Sequence, residues 1–367
     1  MEKVLLITDE MMPGGVAKHV TDLANELDRR GIGVTVAAAD GPFRRRIKAH
    51  IPFISIPLIK IDDYRRTIPG FFKSYSTLQS LIRRDTFTLI HSHKRFSDLL
   101  GRILARQFSL PHVSTLHSAV EGFRRLSVFG DHTIACSRYG RELLINYFQK
   151  NEKDVSLIYN GINPLRKHSD IDTIQIRDGY GISQQKRIVA AVGRLDEPKD
   201  WITFLKAVRI LKIRKDISDI LFVILGEGTQ KPNLLEKIKE FAIEENIIFL
   251  HQESNVEKLF TIAEFGVLST KGEGGVPYVI IEAASVGKPS IATGVGGVTE
   301  FIMGNETGIV TAPHSAEQLS DAICFLLDNP PECRRLGEKA REKMEEHHSI
   351  ESMGEKIIQV YQSCLHR

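Results

Sequence analysis

Cysteine is sparse in this chain. Cys136, Cys324, Cys333 and Cys364 are the four in 367 residues. They form no C-x-x-C pair and have no histidine partner at zinc-module spacing. A disulfide scaffold and a cysteine-based zinc module are therefore excluded, and a reduced, cytoplasmic chain with incidental cysteines is expected. Long apolar runs are missing too: no window approaches the ~18 apolar residues of a membrane span. The opening "MEKVLLITDE" does not read as a signal peptide, because its apolar run meets Asp9 and Glu10 almost at once. There is no low-complexity tract. No convincing D-x-D metal motif stands out, and the adjacent aspartates of "IDDY" read as a surface turn. No obligatory divalent metal is expected.

What is present points to two globular domains. The length exceeds the ~250–300 residues at which single cores stop growing. A hydrophobic content of 42% with 26% charged residues is that of an ordinary globular protein. The net charge of +3 hides an asymmetry: residues 1–160 hold 24 Lys and Arg against 16 Asp and Glu, a balance of +8, and the remainder stands at −5. The basic residues cluster in "FRRRIK" (43–48), "DDYRRT" (62–67), "LIRRD" (81–85) and "FRRLS" (123–127). These runs read either as solvated helical faces or as a surface that meets anionic lipid headgroups or a phosphate-bearing acceptor. No nucleic-acid-binding motif accompanies them, and nucleic acid is not an expected partner.

Short apolar strands alternate with helical patterns along the chain. "KVLLITD" (3–9), "VTVAAAD" (34–40), "FTLIHSH" (87–93), "HVSTLHS" (112–118), "DHTIACS" (131–137) and "VSLIYNGI" (155–162) read as strands. The stretch 163–185 turns polar and loses this cadence. It then restarts with "RIVAAVGRL" (187–195), "DILFVILGEG" (219–228), "NIIFLHQ" (246–252), "FGVLST" (265–270) and "PSIATG" (289–294). The alternation predicts an α/β chain of two tandem, doubly wound, Rossmann-like domains, 1–165 and 166–345, with a closing amphipathic helix over 346–367. Ligands in such sheets sit at the carboxyl ends of the strands.

Several residues at those ends are suited to chemistry. Gly14 and Gly15 lie between the first strand and first helix. They form a plain turn or a close backbone approach to an anion at the helix N-terminus. Arg194 and Lys199 follow the first strand of the second half, five residues apart. They are surface cations or a converging pair for one anion. In "KGEGGVPYVIIEAASVGKP" (271–289), Pro277 suits the first helical position, and Gly287 with Pro289 suits its end. Glu282 stands in an apolar run, where burial demands a hydrogen-bonding partner such as a sugar diol. Glu273 lies in the glycine loop ahead of it, as an exposed acid or a ligand contact.

Together these stretches resemble glycosyltransferase family 4, of the GT-B fold, over nearly the whole chain. "PGGVAKHVTDLANEL", "LIHSHKRFSDLLGRILAR", "STLHS", "IACS", "IYNGI", "VGRLDEPKD" and "EGGVPYVIIEAASVGKPSIATGVGGVTEFI" carry the likeness. The resemblance implies two domains facing a cleft, with the last helix packing back on the first. It implies a retaining enzyme moving sugar from a UDP- or GDP-linked donor to a glycan or lipid-linked acceptor. Arg194 and Lys199 would hold the donor diphosphate, with Gly14, Gly15, Gly274, Gly275 and Val276 near it. Glu273 would contact the transferred sugar, Glu282 the ribose, and His117 the sugar at the reacting centre. Such enzymes work in cell-envelope glycan or glycolipid assembly, here in the cytoplasm or at the inner face of the membrane. Two departures stand out: eight residues rather than seven separate Glu273 from Glu282, and "HQES" (251–254) replaces a glycine turn. A nucleotide-sugar epimerase and a non-catalytic nucleotide-sugar-binding protein are the alternative readings.

Overall fold

The computed structural model describes residues 3–58, 67–118, 124, 127–163, 172–250 and 256–366. "IDDY", Arg65, Arg66 and "HQES" lie outside the described residues. The chain divides into two compact units, Met1–Gly161 with Ile350–Arg367, and Ile162–Ser349.

Among the described residues of the first unit, seven strands form one parallel sheet. They are β1 (Lys3–Glu10), β2 (Gly33–Ala39), β3 (Phe53–Ser55), β4 (Leu89–His93), β5 (His112–Leu116), β6 (His132–Ala135) and β7 (Val155–Leu157), in the order 3-2-1-4-5-6-7. β1 is central, with Leu5 opposite Thr35 on one side and Ile90 on the other. Val4, Leu5, Leu6 and Ile7 are fully buried, because helices cover both faces of the sheet. One layer is the helix Gly15–Arg29, whose Val20, Leu23 and Leu27 join this core. The last helix, Ile350–Leu365, packs beside it and adds Met353, Ile357, Val360 and Tyr361. Gly354 permits the approach: a Cβ there would lie 2.6 Å from Glu26 Cγ.

The second unit repeats the plan. β8 (Arg187–Val192), β9 (Ile220–Leu225), β10 (Ile247–Leu250), β11 (Phe265–Leu268), β12 (Ser290–Thr293) and β13 (Gly308–Thr311) are parallel, in the order 10-9-8-11-12-13. Two edge strands, β3 and β13, go beyond the sequence reading. β3 is three residues long and partly exposed, and β13 begins at a glycine, so neither shows a buried apolar run. In both units the chain winds outward one way and then returns to the other side of its first strand. The reversal places β1 beside β4 and β8 beside β11, and ligand sites form at the carboxyl ends of such pairs.

Candidate active site

The second unit gathers three of the sequence-predicted residues at its reversal point. Arg194 follows β8 after Gly193, and its carbonyl accepts the indole N–H of Trp201 at 2.9 Å. Its guanidinium is exposed and makes no hydrogen bond or ion pair among the described residues. Lys199 lies in the next turn, which is laced to the segment after β11. Asp200 N donates to Ser269 O at 3.0 Å, and Lys271 N to Pro198 O at 2.9 Å. The Lys199 ammonium forms an ion pair with the Glu273 carboxylate, and each side chain is 17% exposed. Lys199 and Glu273 stand 74 residues apart in sequence, and no local pattern signals their pairing.

The loop that carries Glu273, Gly274, Gly275 and Val276 leads into the helix Tyr278–Ser285. Pro277 is the residue capping that helix, with ψ of 134°, rather than its first helical residue as its sequence suggested. No side chain caps the helix, and the positive end of its dipole faces the Glu273 loop. Glu282 is buried in the second turn of this helix. Gly287 takes the left-handed φ of 70° that closes it.

Glycine at 274 and 275 could absorb the extra residue before Glu282 through unusual dihedrals. Neither Gly274 nor Gly275 takes a left-handed φ, whereas Gly296, which packs against this loop, does. Gly296 adopts φ of 52°, and a Cβ there would overlap the Glu273 carbonyl oxygen. A Cβ on Gly297 would lie 2.6 Å from Gly275 O and 2.7 Å from Val276 N. Glycine at 296 and 297 therefore lets two backbones touch and sets where Glu273 stands. Replacing Gly296 with Ala should displace the Glu273 loop and lower stability by about 1–3 kcal/mol. Urea unfolding measures this, and an unchanged midpoint would contradict it.

In the first unit, Gly14 and Gly15 are exposed at the N-terminus of the helix Gly15–Arg29, and a Cβ on Gly14 would meet nothing within 4 Å. Close backbone approach from the ligand side is thus open there. Beside them, Glu10 at the end of β1 pairs with Lys94, the residue after β4. Lys94 holds φ of 76°, a strained conformation for a side chain of its size. Buried Asp9 accepts hydrogen bonds from Ser97 N at 3.1 Å and Ser97 Oγ at 2.6 Å. Lys94 and Glu10 escaped the sequence reading, although "HSHK" at a strand end offered a signal.

His117 closes this site from the end of β5, and it is one of a group. Its Nε2 lies 3.0 Å from His93 Nδ1, its Nδ1 lies 3.8 Å from Cys136 Sγ, and its ring meets that of His19 edge-on at 4.7 Å. His91 lies behind, 4.2 Å from the His93 ring, with hydrogen bonds to Tyr361 at 2.6 Å and Thr115 at 2.7 Å. The i, i+2 spacing of His91 and His93 puts both on one face of β4. Burial holds every member neutral. It pulls His19 down to about 4, and pulls His91, His93 and His117 well below the usual imidazole range, with neighbouring histidines adding to the shift. Burial also pushes the Cys136 thiol up to about 12, so it stays protonated.

D-x-D is spelled once in the sequence, at Asp170 and Asp172. Asp170 lies outside the described residues, and Asp172 caps the helix Thr173–Gly179 through Gln175 N at 3.0 Å. Among the described residues no helix is long and apolar enough to cross a membrane.

Two parallel, doubly wound units in tandem are the architecture of the GT-B fold. The solved structure of Anabaena Alr3699/HepE in complex with UDP-glucose superposes with a TM-score of 0.86 at 19% identity, covering 99% of this chain and 100% of that one. The family model for glycosyl transferases group 1 matches residues 172–343, and that for glycosyltransferase family 4 matches residues 13–166. The chain belongs to glycosyltransferase family 4 and is a glycosyltransferase. The N-acetyl-alpha-D-glucosaminyl L-malate synthase of Bacillus anthracis is 23% identical over 364 residues, covering 95% of this chain and 93% of that one. The UDP-Gal:alpha-D-GlcNAc-diphosphoundecaprenol alpha-1,3-galactosyltransferase of Escherichia coli is 23% identical over 274 residues, covering 70% of each.

Proposed function

We propose that this enzyme transfers a glycosyl group, with retention, from a nucleoside diphosphate sugar to a hydroxyl of an anionic acceptor. The observation that carries the donor assignment is the exposed Arg194, without an ion-pair partner among the described residues, together with Lys199–Glu273 at the strand ends of the second unit. Charge on the departing diphosphate is the main electrostatic problem of the reaction. Arg194, Lys199 and the N–H groups of Gly274, Gly275 and Val276 at the helix end oppose that charge without a divalent metal. Glu273 contacts the transferred sugar and Glu282 the ribose. In the first unit, Gly14 and Gly15 approach the diphosphate, and His117 contacts the sugar. HepE is solved with UDP-glucose, which makes UDP sugars the first donors to try. The test is acceptor-dependent release of nucleoside diphosphate over a panel of UDP and GDP sugars, in EDTA. Turnover should survive the chelator. An epimerase would interconvert the donor without releasing nucleotide, and a binding protein would do neither.

The two glutamates should separate in their effects. Glu282→Gln should weaken binding of the free nucleoside diphosphate about tenfold or more, as loss of a hydrogen bond to a charged group does. Glu273→Gln should leave most of that binding and reduce transfer. Calorimetry beside turnover tests this, and the reverse pattern would exchange the two roles.

An anionic acceptor fits the +8 balance of residues 1–160. The two relatives' names carry malate and a diphosphate-linked lipid, both anionic. A lipid-linked acceptor in envelope glycan assembly would bring the enzyme to the inner face of the membrane. Of the expected basic residues, Arg44 pairs with Asp40 at 2.5 Å and Arg46 lies over the Phe43 ring, which leaves Arg45 the most available. The sequence reading missed two exposed apolar side chains in the same unit. Ile68 and Phe72 on the helix Ile68–Arg84 are 75% and 64% exposed, and Ile68 lines one cavity with Phe71, Phe96 and Leu99. Exposed apolar side chains and exposed basic ones together favour a lipid surface. Sedimentation with anionic vesicles should be salt-sensitive and should fall severalfold in Ile68→Ser/Phe72→Ser. Equal sedimentation with neutral vesicles would contradict the charge term.

A further inference from the structure

We propose, on the basis of the transfer reading above, that Lys94 receives the anionic group of the acceptor, a carboxylate or a phosphate, while Glu10 holds its ammonium in place. Lys94 follows β4 and Glu10 ends β1. Their ion pair therefore stands at the reversal point of the first sheet, the place where ligands of such sheets bind. The second sheet carries a pair of the same kind at its own reversal point, Lys199 with Glu273. That pair is taken up by the donor, and this one is left for the second substrate.

The backbone of Lys94 is unsuited to a lysine. Its φ of 76° with ψ of 148° borders a region that only glycine enters freely. Bonds around the turn impose it: Asp9 accepts from Ser97 N and Ser97 Oγ, and Asp98 N donates to Lys94 O at 2.9 Å. Glycine would take this turn without strain, so the turn itself gives no reason for a lysine. The ion pair is also incomplete as a fastener. Glu10 Oε2 is buried without a hydrogen-bond partner among the described residues, a costly state for a bridge that serves only the fold. Lys94 is the more accessible partner, its side chain 28% exposed against 12% for Glu10. An ammonium carries three N–H donors, and Glu10 Oε1 takes one. The helix Arg95–Phe108 turns the positive end of its dipole to Lys94, which favours an anion there. Lys94 also adds positive potential at His117, the residue assigned to the transferred sugar. An acceptor held by its charge at Lys94 can offer a hydroxyl to that sugar.

The experiment is calorimetry of the full-length protein, with and without UDP. The probes are L-malate, inositol 3-phosphate and diphosphate-linked N-acetylglucosamine, each beside an uncharged counterpart: malamide, inositol and N-acetylglucosamine. At least one anion should bind about tenfold or more tighter than its counterpart, as expected for hydrogen bonds to a charged group. Lys94→Gln should lose that preference, Lys94→Arg should keep most of it, and UDP affinity should be unchanged in both. Lys3, paired with Asp85 at the other end of β1, should be replaceable by Gln without effect. Lys94→Gly combined with Glu10→Gln removes the strain and leaves no lone charge. Its urea midpoint should equal or exceed that of the wild type while the preference for the anion is lost. A lower midpoint would make the pair a fastener of the fold and overturn the proposal. So would the absence of any preference in the wild type, its survival in Lys94→Gln, or a loss of UDP affinity alongside it. Calorimetry needs no turnover, so a Lys94-dependent preference in a protein that transfers no sugar would support the anion site while overturning the transfer reading. Wild-type anion binding by Lys94→Gln in an active enzyme would do the reverse.

Discussion

Arg194→Ala and Lys199→Ala should each lower kcat/KM by more than ~100-fold, roughly 2.7 kcal/mol of lost transition-state stabilisation. Negative charge grows on the leaving diphosphate as the glycosidic bond breaks. A cation already in place lowers that barrier without reorganising. Lys199 is such a cation: Glu273 holds its ammonium, and its backbone bridges to Thr270. Arg194 is exposed, with its backbone tied down by Trp201, so its guanidinium can close on the ligand. The double variant should lose less than the sum of the two, because both act on one charge. Arg214, paired with Asp321 at the far end of the helix Trp201–Arg214, is the matching surface control and should change little. Steady-state kinetics with the donor varied measures all four proteins. Turnover near wild type in both single variants would remove the diphosphate from these residues.

Stability should fall steeply between pH 6.5 and pH 4. Five histidines, at 19, 91, 93, 112 and 117, have folded pKa values depressed by burial, to about 4 for His19 and about 3 for His112. The unfolded chain protonates them near 6.5 and the folded chain does not. Their contribution is therefore complete above pH 6.5 and is lost as pH falls through that value. Each group costs up to about 1.4 kcal/mol per pH unit in this window. Asp98 opposes them: burial raises its pKa well above the usual range, so it favours the folded state at low pH and loses that advantage as pH rises. Among the charges facing these groups are Lys94, paired with Glu10, at His117, and Asp131, Arg102 and Lys150 at His112. Asp22, raised by burial as well, opposes the histidines in the same sense as Asp98, and net proton uptake on unfolding makes stability fall as pH drops below 6.5. Urea midpoints at pH 7.5, 6 and 5 test this. A flat profile would mean that the histidines are hydrated or charged in the folded protein. His91→Gln should flatten the slope, because it removes one titrating group.

The elements that were legible in the sequence are those with buried apolar runs, such as Val4–Leu5–Leu6–Ile7 in β1 and Ile220–Leu225 in β9. Hydrophobic burial on both faces writes itself into consecutive residues. Phe53–Ser55 was not legible, because a short edge strand on the rim needs neither length nor burial. Gly-Arg-Leu after one strand and a glycine loop after another placed Arg194, Lys199 and Glu273 near the reversal of the second sheet. Their position followed from topology. The Lys199–Glu273 pair did not, since it joins two loops distant in sequence. The role of Gly296 was hidden for the same reason: its φ matters only against the Glu273 carbonyl. The histidine group was visible in part as "HSH" and "TLH". His19, on a helix that otherwise reads as amphipathic, joins it only through the fold.

The most direct measurement of the central claim is a crystal structure of the enzyme soaked with UDP, or with the nucleotide that the donor panel selects. The diphosphate is predicted within hydrogen-bond distance of Arg194 and Lys199, ahead of the N-terminus of the helix Tyr278–Ser285, with the ribose hydroxyls on Glu282. A nucleotide bound elsewhere on the chain, or a diphosphate that touches neither cation, would contradict the account.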